Sequence, residues 1–352
     1  VIEMSAEMMD AWILDQAPGS YRWGEITVPE LAVDDVRIRV VASALNHMDL
    51  WVTRGMPKPP VPHVPGCDVA GIVDATGSAV TNVAVGDEVV INPGVSPLDD
   101  IISLGNDSPM GKGFQIYGEH TWGGHATYAV APARNVRHRP TNLSWQESAA
   151  FPLAYLTAYR MLRRARLEAG QTVLVVGIGS GVSTAALALA TKMGARAVVT
   201  SRAESKRDQA LALGAEAAYD SGDRSWPVQA DVIIESVGPA TWEQSVRSLK
   251  PGGRLVVCGG TSGPTVEINL PKLFFKQFEI IGSSMGSYQE FDQLLRLMHT
   301  GVAVQVDDVL GLPDYLAALH RLETGEQLGK IVLQHGAPPA GLSEPGVRTE
   351  IA

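Results

Sequence analysis

Between Val173 and Ser183 an apolar run passes into a glycine-rich turn: Val173-Leu174-Val175-Val176-Gly177-Ile178-Gly179-Ser180-Gly181-Val182-Ser183. No other stretch constrains the fold of this chain as strongly. β-formers, then glycines at alternate positions, then an Ala-rich segment read as strand, tight turn and helix. Glycine permits the turn and lets backbone N–H groups approach a pyrophosphate, while the helix N-terminus supplies orphan donors and a partial positive charge. Neither reading of G-x-G-x-x-G ends in glycine, because Val182 or Thr184 stands there. The context of strand, helix and a second strand about 20 residues on nevertheless points to a dinucleotide site on Gly177, Gly179, Ser180, Gly181 and Val182. The alternative is a βα turn without a ligand.

The same alternation continues. Thr172 to Val176, Ala197 to Thr200, Asp231 to Ile234 and Arg254 to Val257 read as strands. Val182 to Met193, Glu204 to Leu213, Thr241 to Leu249 and Gln289 to His299 read as helices. Such βαβ units imply a parallel sheet covered on both faces. Upstream the pattern differs. Val36-Arg37-Ile38-Arg39-Val40 alternates with period two, and Val69 to Val73 and Glu88 to Ile91 are short apolar runs between Gly, Pro and Asp signals. That half is expected to be β-rich and barrel-like. Ser144-Trp145-Gln146-Glu147 has the form of a capping box and is expected to open a helix. A final strand is expected near Lys330 to Leu333.

The end of the second strand bears on cofactor choice. NAD sites place an acid there for the ribose 2′-OH. This chain has Val199-Thr200-Ser201-Arg202, with Lys206 one helical turn on. Ser201, Arg202 and Lys206 together suit a 2′-phosphate through charge-assisted hydrogen bonds, so NADPH is expected over NADH. The alternative is that the two cations are solvated surface charges. Val237-Gly238, Gly259-Gly260-Thr261 and Ser283-Ser284-Met285 fall where open α/β sheets bind ligands and are read as further lining of the cofactor crevice.

Composition excludes several functions. The 352 residues suffice for two domains. A net charge of −10 disfavours nucleic acid as a partner. The two cysteines, Cys67 and Cys258, cannot supply the tetrad of a structural zinc site or a disulfide framework. No apolar run approaches the roughly 18 residues that span a membrane. Val1 to Met9 holds two glutamates and no basic residue, unlike a signal peptide, so the cytoplasm is the expected compartment.

An ordered series of motifs adds to this reading. Ala44-Leu45-Asn46-His47-Met48-Asp49-Leu50-Trp51, Pro65-Gly66-Cys67-Asp68-Val69-Ala70-Gly71, Gly118-Glu119-His120 with Gly123-Gly124, Tyr155-Leu156-Thr157-Ala158-Tyr159, the glycine turn and Gly329-Lys330-Ile331-Val332 follow one another. The series resembles the medium-chain dehydrogenase/reductase superfamily, on its zinc-free branch of quinone oxidoreductases and enone reductases. The resemblance implies a GroES-like β-rich domain over 9–145, completed by 301–335, and a Rossmann domain over 146–300 with a cleft between them. A homodimer through the Rossmann sheet edge is also implied. Residues 1–8 are left as a flexible extension and 336–352 as a disordered tail.

Zinc alcohol dehydrogenases would have Cys, His and Glu at 46, 67 and 68 and Cys near 153. Here Asn46, Cys67, Asp68 and Leu153 stand there, and the loop from Asn92 to Gly118 has no cysteine. Cys67, Asp68, His47 and His63 are potential ligands close in sequence, but no zinc is expected. Glu119, His120 and His125 are read as turn chemistry. The resemblance also implies roles. Asn46 donates to the nicotinamide ribose or the substrate oxygen, Asp49 orients loop backbone, and Trp51 forms an aromatic wall. Thr157 and Met285 lie near the nicotinamide, and Lys330 reaches the cofactor. Hydride transfer without a metal suits a small-molecule quinone or α,β-unsaturated carbonyl, whose developing enolate hydrogen-bond donors can stabilise. Two alternatives stand beside it: an alcohol dehydrogenase or carbonyl reductase with Asp68 or His47 in a proton relay, and a non-catalytic NADPH-binding protein.

Overall fold

A computed structural model describes residues 7–336. The expected N-terminal extension and C-terminal tail lie, but for their innermost residues, outside the described residues. Strands β1 (Met8–Leu14) and β2 (Tyr21–Thr27) form an antiparallel pair, and β3 (Asp35–Ala44) follows. Helix α1 (His47–Thr53) then precedes β4 (Asp68–Thr76), β5 (Glu88–Ile91) and β6 (Gly94–Val95). Next come α2 (Leu98–Leu104), β7 (Gln115–Ile116), β8 (Tyr128–Pro132) and β9 (Val136–His138). The alternating run at Val36 lies in β3, where Val36, Ile38 and Val40 are buried on one face.

The capping box at Ser144 forms: Glu147 N donates to Ser144 Oγ at 3.1 Å, and Ser144 N to Glu147 Oε2 at 2.8 Å. The helix it opens, α3 (Trp145–Ala150), is short, and α4 (Pro152–Arg164) starts immediately after it. Pro152 accounts for the break, because proline fits a first helical turn and not a helix interior. Strands β10 (Thr172–Val175), β11 (Arg196–Ser201), β12 (Ala217–Asp220), β13 (Ala230–Glu235), β14 (Leu249–Val257) and β15 (Glu279–Gly282) form one parallel sheet. Between them run α5 (Gly181–Lys192), α6 (Glu204–Ala212), α7 (Trp242–Arg247) and α8 (Leu270–Lys276). The sheet order is β12-β11-β10-β13-β14-β15, so the strand order reverses between β10 and β13. Open α/β sheets bind ligands at such a switch point, beyond the carboxyl ends of the strands.

Helix α9 (Tyr288–His299), strand β16 (Val306–Gly311), α10 (Tyr315–Thr324) and β17 (Lys330–Gln334) complete the described chain. The second sheet runs β16-β17-β3-β4-β5-β9, with β8 on β3. Its β17 is antiparallel to β3, with Val332 opposite Ala44. Ile331, Val332 and Leu333 are all buried, which is why this late segment joins the early sheet and is not left at the surface. The pairing brings Lys330 beside Asn46 from nearly 300 positions away in sequence. One continuous core joins the two sheets: Val41 and Ala42 of β3 and Ala70 of β4 share a buried cluster with Phe151, Tyr155 of α4, Val173 of β10 and Val232 of β13. No helix among the described residues is long and apolar enough to cross a membrane.

Candidate active site in the cleft between the sheets

The glycine turn adopts backbone that only glycine takes easily, with φ of +73° at Gly177 and +150° at Gly179. A Cβ on Gly181 would lie 2.5 Å from Lys330 Cδ, so the helix start and β17 approach at the limit glycine allows. Ser180 caps α5 by accepting from Ser183 N at 3.1 Å. The N–H groups of Gly181 and Val182, in the first turn, have no helical acceptor and form a cradle for an anion. This donor set fits a pyrophosphate.

A cleft of about 260 Å³ opens from this turn. It is lined by Asn46, His47, Trp51, Glu119, Thr157, Ser180, Gly181, Val182, Gly259, Ser284, Met285 and Lys330. Met285 has φ of +49°, a left-handed conformation costly for a side chain, and is held buried against Leu153 and Met48. Gly260 and Ser283 line a wider adjoining groove with Gly238, and Val237 packs over Gly177. The loop after β13 is ordered by Glu235, which sequence reading missed. Its Oε1 accepts from Val237 N at 2.7 Å and Gly238 N at 3.0 Å, and its Oε2 from Thr241 Oγ1 at 3.0 Å and Ser245 Oγ at 2.7 Å. A buried acid ending a β-strand was the available signal.

The floor of the cleft is a closed polar network. Lys330 Nζ donates to Leu45 O at 2.6 Å, Asn46 Oδ1 at 2.6 Å and Asp68 Oδ2 at 2.8 Å. Asn46 Nδ2 donates to the same Asp68 oxygen at 2.9 Å, and Leu153 N, in the first turn of α4, donates to Asp68 Oδ1 at 2.7 Å. The carboxylate therefore also faces the positive end of α4. All three ammonium hydrogens of Lys330 are spent on protein oxygens, which differs from the expectation that Lys330 reaches a cofactor. Its aliphatic stem is what lies against the glycine turn. Asp49 accepts from Asn46 N at 2.7 Å and so orders the backbone entering α1. Trp51 is 40% exposed at the cleft edge. Thr157 turns its hydroxyl to Leu153 O at 2.8 Å.

At the end of β11 Ser201 is buried and Arg202 exposed. Lys206 stands beside the glycine turn, its Nζ 3.0 Å from where a Cβ on Gly179 would lie, but its ammonium is already engaged. Its ammonium donates to Gly325 O and Gln327 O, both at 2.7 Å, tying α6 to the segment that leads into β17. Arg207, missed in the sequence, donates to Ser201 O at 2.7 Å and braces the turn.

The four positions where zinc relatives carry ligands are gathered here, but their chemistry does not fit a metal. Asn46 and Asp68 are consumed by Lys330 and Leu153, and Leu153 offers no side-chain donor. Cys67 is fully buried in an apolar cluster with Met48, Leu153 and Met285, and burial pushes its thiol well above the ordinary range. Among the described residues no group of three or more His, Cys, Asp and Glu side chains is arranged to hold a metal ion. The sequence cluster Glu119, His120, His125 is split. His120 Nδ1 accepts from Ile116 N at 3.1 Å, His125 Nδ1 meets Ser43 Oγ at 2.8 Å, and Glu119 alone fronts the cleft.

Comparison with known proteins shows the family. Residues 32–141 match the alcohol dehydrogenase GroES-like domain, and residues 181–300 the zinc-binding dehydrogenase family. The 2-methylene-furan-3-one reductase of Solanum lycopersicum is 32% identical over 318 residues, covering 88% of this chain and 74% of the relative. The quinone oxidoreductase of Mus musculus is 30% identical over 296 residues, covering 79% and 80%. Among solved structures, an NAD-dependent alcohol dehydrogenase superposes with a TM-score of 0.88 at 36% identity, covering 93% of this chain and 100% of that one. The 2-octenoyl-CoA carboxylase reductase CinF, in complex with NADP and 2-octenoyl-CoA, superposes with a TM-score of 0.87 at 26% identity, covering 96% and 90%. The chain is an oxidoreductase of the medium-chain dehydrogenase/reductase superfamily, on the branch that holds the quinone oxidoreductases and enone reductases.

Proposed function

We propose that this protein is an NADPH-dependent reductase that places hydride on an α,β-unsaturated carbonyl or a quinone without catalytic zinc. The observation that carries the reading is the Asn46–Asp68–Lys330 network, which fills the positions of the zinc ligands with a hydrogen-bonded ion pair. A ketone reduced to an alkoxide wants a Lewis acid, whereas an enolate or phenolate needs only directed donors. NADPH, when bound, supplies the hydride. The chain's own residues do the rest. Gly181 and Val182 N–H groups hold the pyrophosphate at the start of α5. Ser201 and Arg202 meet the 2′-phosphate at the end of β11, where no acid stands to favour NAD. Asn46 spends one amide hydrogen on Asp68 and keeps the other for the substrate oxygen or the nicotinamide ribose. Met285 and Trp51 wall the cleft against water.

The likeness to an NAD-dependent alcohol dehydrogenase supports a second reading, oxidation of an alcohol or reduction of an aldehyde at the same cleft. NADPH oxidation against a panel of quinones, enones and aldehydes, with metal quantified on the same sample, separates the two. Turnover of enones or quinones without stoichiometric zinc supports the first. One zinc per chain, with activity confined to alcohols and aldehydes, refutes it.

A further inference from the structure

Glu119 stands in the wall of the cleft on a loop that the backbone holds rigidly. Gly118 packs so closely on Gly66 that a Cβ there would meet its carbonyl carbon at 2.5 Å, and Gly123 lies equally close to Gly66 O. His63 Nε2 and Gly118 O lie 3.1 Å apart, and Glu119 N donates to Ile116 O at 3.2 Å. The residue is only 6% exposed. Its Oε2 is buried with no hydrogen-bond partner, and among the described residues no Lys, Arg or His forms a salt bridge with it. The apolar groups beside it in the cleft include Ile116, Met48, Leu153 and Met285. Burial, with the charge of Asp49 second, pushes this carboxyl up to about 7, so it keeps its proton into the neutral range. The other titratable groups around it are His63 and Cys67 before β4, His47 and Asp49 on α1, His120 on its own loop and Lys330 on β17, and burial lowers the affinity of His63 for a proton. Cys67 is a neutral thiol, burial lowers the affinity of His47 for a proton, and Lys330 is turned onto Asp68.

Glu119 lines the cleft and leaves one buried carboxyl oxygen without a partner, an incomplete arrangement that a bound substrate can complete. We propose that Glu119 is the general acid of this site, delivering the proton that completes reduction of a bound enone. The proposal rests on the reductase function given above. Hydride adds to the β-carbon, and the alkene electrons move onto the carbonyl oxygen to give an enolate. The O–H bond of Glu119 then breaks as its proton goes to the α-carbon and the carbonyl re-forms. Glu119 is left as a carboxylate, which takes a proton from water after the product leaves. The sum is one hydride and one proton added across the double bond.

The test uses a cyclic enone with an α-methyl group, reduced in deuterium oxide by the wild type and by Glu119→Gln. For the wild type, deuterium on one face of the α-carbon is expected. For Glu119→Gln, about a 10²- to 10⁴-fold loss of kcat is expected, with KM little changed, loss of facial selectivity and loss of the limb of the pH profile near neutrality. Infrared difference spectra of the NADPH-bound wild type should show a protonated carboxyl band below neutral pH that the variant lacks. Should Glu119→Gln not fold, Glu119→Asp keeps the acid one methylene short, with a slower rate and selectivity intact. A Glu119→Gln enzyme with wild-type rate and facial selectivity, or a wild type without the infrared band, overturns the assignment while leaving the reductase function standing. A wild type that reduces quinones and no enone overturns the assignment alone, and one that binds NADPH and reduces neither overturns both.

Discussion

Lys330 Nζ lies 2.8 Å from Asp68 Oδ2, and both residues are essentially removed from solvent at the point where β17, β4, α1 and the start of α4 converge. A buried pair of this kind is weak evidence for stability by itself, but removal of one partner leaves an uncompensated charge. Lys330→Met is therefore expected to destabilise the fold by about 3–5 kcal/mol, and Lys330→Met/Asp68→Leu by less than the sum of the singles. Denaturant unfolding of the three variants measures this. Equal, additive losses would mean that the two side chains act independently.

Cofactor choice is expected to rest on Arg202 and not on Lys206. Arg202→Ala should weaken NADPH about tenfold or more and leave NADH nearly unchanged, since only NADPH carries the 2′-phosphate that charge-assisted bonds would hold. Lys206→Ala removes the bonds to Gly325 O and Gln327 O and should appear as lost stability with a smaller effect on NADPH preference. Fluorescence titration with both nucleotides, beside a thermal melt, distinguishes the two roles. Equal loss of NADPH affinity in both variants would restore Lys206 to the phosphate site.

Neither cysteine should react in the folded protein. Cys67 is fully buried; Cys258 is half-buried in the lining of the cleft, and that burial pushes its thiol up to about 12, so both keep their protons at pH 8. A native pKa above the unfolded value means the folded state keeps its proton longer, so this contribution to stability is present at neutral pH and fades as pH rises through the ordinary thiol range of about 8.5. Labelling with a thiol reagent at pH 8 should be negligible until denaturant is added, and then reach two thiols per chain. Fast labelling of native protein would contradict the assigned protonation states.

The exposed edge of the parallel sheet is the expected dimer surface. Among the described residues β15 has no neighbouring strand on its outer side, and Leu270, Phe274 and Phe275 of α8 are 62%, 60% and 79% exposed. Unpaired edges flanked by apolar side chains are templates for association. Phe275→Glu should convert a dimer into a monomer, seen by light scattering coupled to size exclusion. A wild-type monomer, or a variant that stays dimeric, would place the interface elsewhere.

The sequence by itself determined the architecture, because its local signals agreed with one another. The glycine turn, the alternation after it and the capping box at Ser144 each appear where they were read. These features depend on neighbours within a few residues, which a sequence displays directly. Strands β12 and β15 and the break before Pro152 were not resolved, since a short edge strand or a one-residue kink leaves little periodicity. What the sequence could not decide is where side chains from distant segments point. Lys330 was read toward a cofactor and turns onto Asp68 and Asn46. Lys206 was read toward a phosphate and turns onto two carbonyls. Glu119 was read as turn chemistry and faces the cleft. Each outcome follows from contacts between segments distant in sequence, and for Lys330 from strand pairing across more than 260 positions. For the two lysines, those contacts set which acceptors lie closest to the ammonium, and desolvation then drives it onto them.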